Sequence, residues 1–132
     1  MTSHFVNQIF PYLYAMTSFI FEDILVIGYD DKLKVIDSQY IGENNSVCTA
    51  GFNKEKLAQI MSDKKYKYLL IAHNHPDTTS KPSDDDVEFT KHICGLCQNM
   101  NVTFVDHIIV SAKSTSFFSF KNSHYYKGIL PR

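Results

Sequence analysis

Two histidines one residue apart, His73 and His75, end the apolar run YKYLLIAHNH, and three aspartates, Asp84, Asp85 and Asp86, follow a short polar stretch. In an extended chain alternate side chains share a face, so the two imidazoles project together, their bases roughly 7 Å apart. That separation lets both converge on one metal ion. A third ligand must come from another element, and helical geometry chooses among the aspartates. At about 100° per residue, Phe89, Ile93, Leu96 and Met100 share one face; Asp86 lies ~40° from the midpoint of Phe89 and Ile93, Asp85 ~60°, and Asp84 nearly opposite. Asp86 therefore opens the buried face, where a carboxylate needs a partner. A cation is one answer. The other is a helix cap, because Ser83-x-x-Asp86 has the pattern of a capping box, with an acid in the first turn favoured by the helix dipole. Alone, Ser83-x-x-Asp86 reads as a cap and His-x-His as incidental; their conjunction favours a metal site.

The elements that position these residues follow from periodicity. Residues 4 to about 17 read as a helix with Ile9, Leu13 and Met16 on one face, and 23 to 29 (DILVIGY) as a buried strand. Asp30-Asp31-Lys32 reads as a tight turn into KVIDSQYI, completing a hairpin. Residues 42 to 52, with Gly42, Asn44, Asn45 and Gly51, read as irregular, after which Asn53 caps a helix carrying Leu57, Ile60 and Met61. YKYLLIAHNH is a strand stopped by Pro76, and Ser83 starts a helix to about Gln98. VTFVDHIIV and TSFFSF are further strands, giving an α/β domain of five strands and three helices.

Composition bounds the function. With 132 residues and 44% hydrophobic content, the chain supports one core and one domain over 1–132, its centre spanning about 20–120. The net charge of −1 and the lack of a dense Lys/Arg run argue against nucleic acid as a partner. IFPYLYAMTSFIF has no basic flank, and Pro11 and polar residues interrupt it well short of the roughly 20 apolar residues that span a membrane. It reads as a packed amphipathic helix, with no membrane partner. Three cysteines, Cys48, Cys94 and Cys97, are too few for a disulfide framework, so a reducing cytoplasm is expected.

Two further constellations have structural readings. In His92-x-Cys94-x-x-Cys97 the first thiol falls well inside the expected helix, whereas a redox pair needs it at a helix N-terminus. A structural zinc would need another ligand pair that the chain does not offer at suitable spacing, so buried thiols are expected. In VDHIIV, alternation sets Val105, His107 and Ile109 on one face and Asp106, Ile108 and Val110 on the other. His107 is then a structural histidine, and Asp106 a group that orients a loop or a ligand histidine.

His73-x-His75, ten residues and then Asp86, with Pro76 after the second histidine and Ser83 three before the aspartate, resembles the JAMM motif of the JAB/MPN zinc metallohydrolases. More narrowly, HNHP, PSDDDVEFT and VDHIIV resemble the RadC-type branch, whose pattern runs HNHP, PS-x-x-D, a threonine and DHIIV. From Glu22 to about Phe120, some three quarters of the chain, order and spacing follow that branch. The resemblance implies a single JAB/MPN-like (cytidine-deaminase-like) domain, a mixed β-sheet flanked by helices. It implies His73, His75 and Asp86 as ligands of one Zn2+ per chain. A fourth position is left for water, whose pKa zinc brings down to about 7. The family's general-base glutamate stands eight residues before the aspartate of the following turn, as Glu22 stands before Asp30, with Glu43 in reserve. Ser83 would hydrogen-bond the metal-bound species or the developing oxyanion.

Departures from the branch are specific. HNHPDT replaces the usual HNHPSG, so Asp77 adds a charge where flexible glycine is missing, which bears on access and substrate choice. Larger members carry a preceding helix-hairpin-helix region, for which 132 residues leave no room, removing the main reason to expect DNA binding. The reading is a zinc metallohydrolase that cleaves a peptide, isopeptide or other amide bond in a protein or peptide, ubiquitin-like conjugates included. The alternative is a RadC-like module binding protein or nucleic acid, in DNA repair or mobile-element biology, without hydrolysis.

Overall fold

A computed structural model describes residues 3–19, 22–41, 52–76, 81–111 and 117–124. The elements run α1 (Ser3–Met16), β1 (Ile24–Tyr29), β2 (Val35–Tyr40), α2 (Lys54–Lys64), β3 (Tyr68–His75), α3 (Asp84–Asn99), β4 (Thr103–Ser111) and β5 (Phe117–Ser119). The strands form one mixed sheet in the order β2-β1-β3-β4-β5. β3 and β4 are parallel, joined by the crossover helix α3, and the other neighbours are antiparallel.

Helices cover both faces of the sheet, which is why β1 is buried throughout and reads as an unbroken apolar run. On one face Ile9, Leu13 and Met16 of α1 pack on Leu25, Ile27, Leu70, Ala72, Ile108 and Val110. On the other, Leu57 and Met61 of α2 and Phe89, Ile93, Cys94 and Cys97 of α3 pack on Ile24, Val26, Leu69, Ile71 and Ile109. The expected stripe of α1 is therefore the one it buries. α3 buries Asp86, Phe89, Thr90, Ile93, Cys94 and Cys97, so its face is rotated away from Leu96 and Met100, which are half-buried.

Asn53 caps α2, its side chain accepting from the Lys56 amide at 3.0 Å, and the β1–β2 turn is held by Asp30 Oδ1, which accepts from the amides of Lys32 and Lys34. One expectation fails. Leu69 pairs with Phe104 and Leu70 with Asp106, leaving Val105 as an extra residue in β4. An extra residue reverses the alternation beyond it. Val105 consequently packs with Ile108 and Val110 on the α1 side, not with His107 and Ile109.

Candidate metal centre

β3 is the central strand, and its C-terminal end carries both histidines on the face that meets α3. Leu69 and Ile71 lie in the α2–α3 core, and period two continues that face to His73 and His75. His73 is fully buried; the His75 side chain is 12% exposed, at the mouth of the site. Across the antiparallel pairing Ile24 faces His73, and the same register carried two residues further sets Glu22 opposite His75. Glu22, His73 and His75 each bring a potential ligand atom within 4.8 Å of the others. Asn74, between the histidines and pointing to the other face, accepts from the Asp23 amide at 2.7 Å. It pins the segment that bears Glu22.

The fourth group arrives on the first turn of α3. Ser83 is the N-cap: its Oγ accepts from the Asp86 amide at 3.1 Å while Asp86 Oδ2 accepts from the Ser83 amide at 2.9 Å. This reciprocal box orients the carboxylate inward. Asp86 Oδ1 lies 3.1 Å from His73 Nε2, and Oδ2 3.0 Å from His75 Nε2. Asp84 and Asp85 are exposed. The cap and the convergence on the histidines are thus one construction, and only the third aspartate takes part. Burial opposes ionisation of Asp86, but the neighbouring His73 and His75 imidazoles and the Ser83 amide outweigh it and hold the carboxyl well below the usual range.

The donors present fit a divalent metal ion. Two imidazole nitrogens and a carboxylate, with a second carboxylate nearby, suit zinc or a similar borderline cation. His73 Nε2 is buried without a hydrogen-bond partner, because its approach to Asp86 Oδ1 is close but not aligned. A buried nitrogen beside a carboxylate but not bonded to it is the atom a cation would satisfy.

Behind His73 stands His107, which sequence reasoning read as structural without seeing whom it serves. Its Nε2 lies 2.7 Å from His73 Nδ1, and its Nδ1 2.6 Å from Thr90 Oγ1. The ring stacks on Phe120 at 4.8 Å and meets the edge of Phe89. With both nitrogens engaged it is no ligand. Burial, reinforced by His73, pushes its pKa well below the usual histidine value, so it is neutral. The signal was present in the threonine and DHIIV of the quoted pattern, though not the contact. Asp106 orients a loop, not a ligand histidine: it accepts from Ser119 Oγ and from the Lys121 amide at 3.0 Å.

Cys94 and Cys97 are buried free thiols on α3, and burial pushes both up to about 12. Among the described residues they join no disulfide and no second metal-binding cluster. Glu43, Cys48 and Asp77 lie outside the described residues. Among the described residues, no helix is long and apolar enough to cross a membrane.

Comparison with known proteins agrees with this geometry. Residues 4–125 match the family described as the RadC-like JAB domain. A UPF0758 protein of Lactococcus lactis subsp. lactis is 31% identical over 116 residues, covering 86% of this chain and 49% of the relative. A UPF0758 protein of Streptococcus uberis is 42% identical over 102 residues, covering 76% of this chain and 43% of its own length. The match spans half or less of these curated relatives, and their names state no activity.

Proposed function

Because the chain belongs to the RadC-like JAB family, we propose that it is a zinc-dependent hydrolase cleaving a peptide, isopeptide or other amide bond. The observation that carries this reading is the convergence of Glu22, His73 and His75 within 4.8 Å, with Asp86 bridging the two histidines. A binding module does not require that arrangement. In this reading His73, His75 and Asp86 hold one zinc ion per chain. Zinc held there would supply Lewis acidity, lowering the pKa of water to about 7 and polarising a carbonyl.

The chain's own groups do the rest. Glu22, half-buried beside the histidines, takes a proton from the attacking water and returns it to the leaving amine. Ser83 is exposed at the rim, and its Oγ already accepts from the Asp86 amide, so its proton is available for the carbonyl oxygen as charge develops there. Exposure of His75 and Ser83 at the mouth suits a chain-like substrate approaching from solvent, a protein or peptide, with ubiquitin-like conjugates in the same class.

Metal analysis tests the proposal. The protein purified without chelators is expected to hold near-stoichiometric zinc, and His75→Ala and Asp86→Ala to lose it. Glu22→Gln should keep zinc and lose hydrolysis of a mixed peptide and isopeptide library. No zinc in the parent sinks the centre; full turnover by Glu22→Gln removes Glu22 from its role.

A further inference from the structure

We infer that Thr90 and His107 are positioning residues that keep a hydrogen on His73 Nδ1, so that Nε2, beside Asp86, is the nitrogen left to meet a metal ion. The consequence for metal binding rests on the centre proposed above. The direction of the hydrogen bonds stands on the protein alone.

The argument counts protons along a chain of three contacts. Thr90 has a single hydroxyl proton and donates it to the main-chain carbonyl of Asp86, one turn earlier, at 2.7 Å. Toward His107 Nδ1, 2.6 Å away, the hydroxyl can then only accept, so that nitrogen carries the hydrogen. His107 is fully buried between Phe89 and Phe120, where a second proton would leave a charge in apolar surroundings. Its Nε2 is therefore bare and accepts from Nδ1–H of His73 at 2.7 Å. With a hydrogen held on Nδ1, His73 has Nε2 as the one ring nitrogen that can serve as a ligand.

An independent observation agrees. His73 Nε2 lies 3.1 Å from Asp86 Oδ1 without the alignment of a hydrogen bond, so the ring is held from its Nδ1 side. The opposite polarity would send the Thr90 proton to His107 and require an aligned N–H donor from His73 to Asp86, which is not found. The chain begins at the Asp86 carbonyl and ends facing the Asp86 carboxylate. One residue thus anchors the relay that prepares its fellow ligand.

Long-range 1H–15N correlation spectra of zinc-free protein report the tautomer of His73 directly, assigned with His73→Asn. The parent is expected to show hydrogen on Nδ1. Thr90→Val keeps the shape and removes the hydroxyl; it is expected to shift His73 toward the other tautomer and weaken zinc binding by ~10- to 100-fold. Thr90→Ser, which keeps the hydroxyl, should restore both. A parent His73 with no hydrogen on Nδ1 overturns the inference, as does a Thr90→Val protein with parental tautomer and affinity. Should Thr90→Val fail to fold, the parent spectrum decides. A parent that binds no zinc defeats the metal centre while the zinc-free spectrum still judges the relay.

Discussion

Ser83 and Asp86 share one capping box, so their alanine variants separate a cap from a ligand. Ser83→Ala removes the acceptor of the Asp86 amide, 3.1 Å away, which costs about 1 kcal/mol. Asp86→Ala removes the acceptor of the Ser83 amide at 2.9 Å and also the contact with His75 Nε2 at 3.0 Å. The first is worth about 1 kcal/mol and the second, to a buried charged group, about 1.5–3, for a total of about 2.5–4 kcal/mol. For a chain of this size ~4 °C of melting temperature follows each kcal/mol, so zinc-free Ser83→Ala should melt ~4 °C lower and Asp86→Ala ~10–16 °C lower. Zinc at a hundredfold excess over its dissociation constant should then stabilise the parent by about 2.7 kcal/mol. Differential scanning calorimetry with and without zinc reads both effects. Ser83→Ala should keep the zinc-dependent rise and Asp86→Ala should lose it. Equal zinc-dependent rises in parent and Asp86→Ala, or equal zinc-free losses in the two variants, would reduce Asp86 to a cap and refute the reasoning.

Other regions give sharper tests of the fold. A Cβ on Gly28 would stand 2.2 Å from ring atoms of Tyr66, whose hydroxyl donates to Asp37 at 3.1 Å. Gly28→Ala must displace that buried ring, which should cost about 2–4 kcal/mol from overpacking plus the lost hydrogen bond, read by urea denaturation. An unchanged midpoint would mean that Tyr66 moves freely. Thiolate is the reactive form of cysteine, and with Cys94 and Cys97 pushed up to about 12, only on the order of one thiol in ten thousand is ionised at pH 8. A Cys48→Ser protein should therefore resist iodoacetamide until unfolded, and labelling should rise as pH climbs toward 12. Rapid labelling of the native protein at pH 8 would show these thiols to be accessible.

Local periodicity carried much of the site. Period two put His73 and His75 on one face, and helical period singled out Asp86 from its neighbours; both survive folding because a β-strand and a helix preserve their own repeat. The Asn53 and Ser83 caps were readable for the same reason, since each involves only the next three residues. Relations set by tertiary pairing were not. The clamp of Asn74 on the Asp23 amide depends on how β1 registers against β3, and the service of Thr90 and His107 to His73 on how α3 lies over β4. Neither has a local repeat to announce it. Even so, the threonine and the DHIIV segment stood in the pattern that prompted the family reading.

The bulge in β4 sets the faces that Asp106 and His107 take, and the reading by alternation erred there only in putting Val105 with His107. Strict alternation from Phe104, which faces the α2–α3 core, would bring Asp106 to that face and turn His107 toward α1. The extra residue Val105 exchanges them. Asp106 now shares the face of Ile108, whose partner across β4–β5 is Ser119, and so reaches the Ser119 hydroxyl and the turn beyond it. His107 now pairs with Ile71 of β3, on the face of His73, and its backbone oxygen accepts from Phe120, whose ring stacks on the imidazole. One bulge therefore assigns the buried acid to securing the sheet edge and the buried histidine to orienting His73. Bulges beside sites commonly re-aim a side chain in this way. Here the re-aimed side chain stands behind a candidate metal ligand, so the irregularity in β4 belongs to the construction of the site as much as to the sheet.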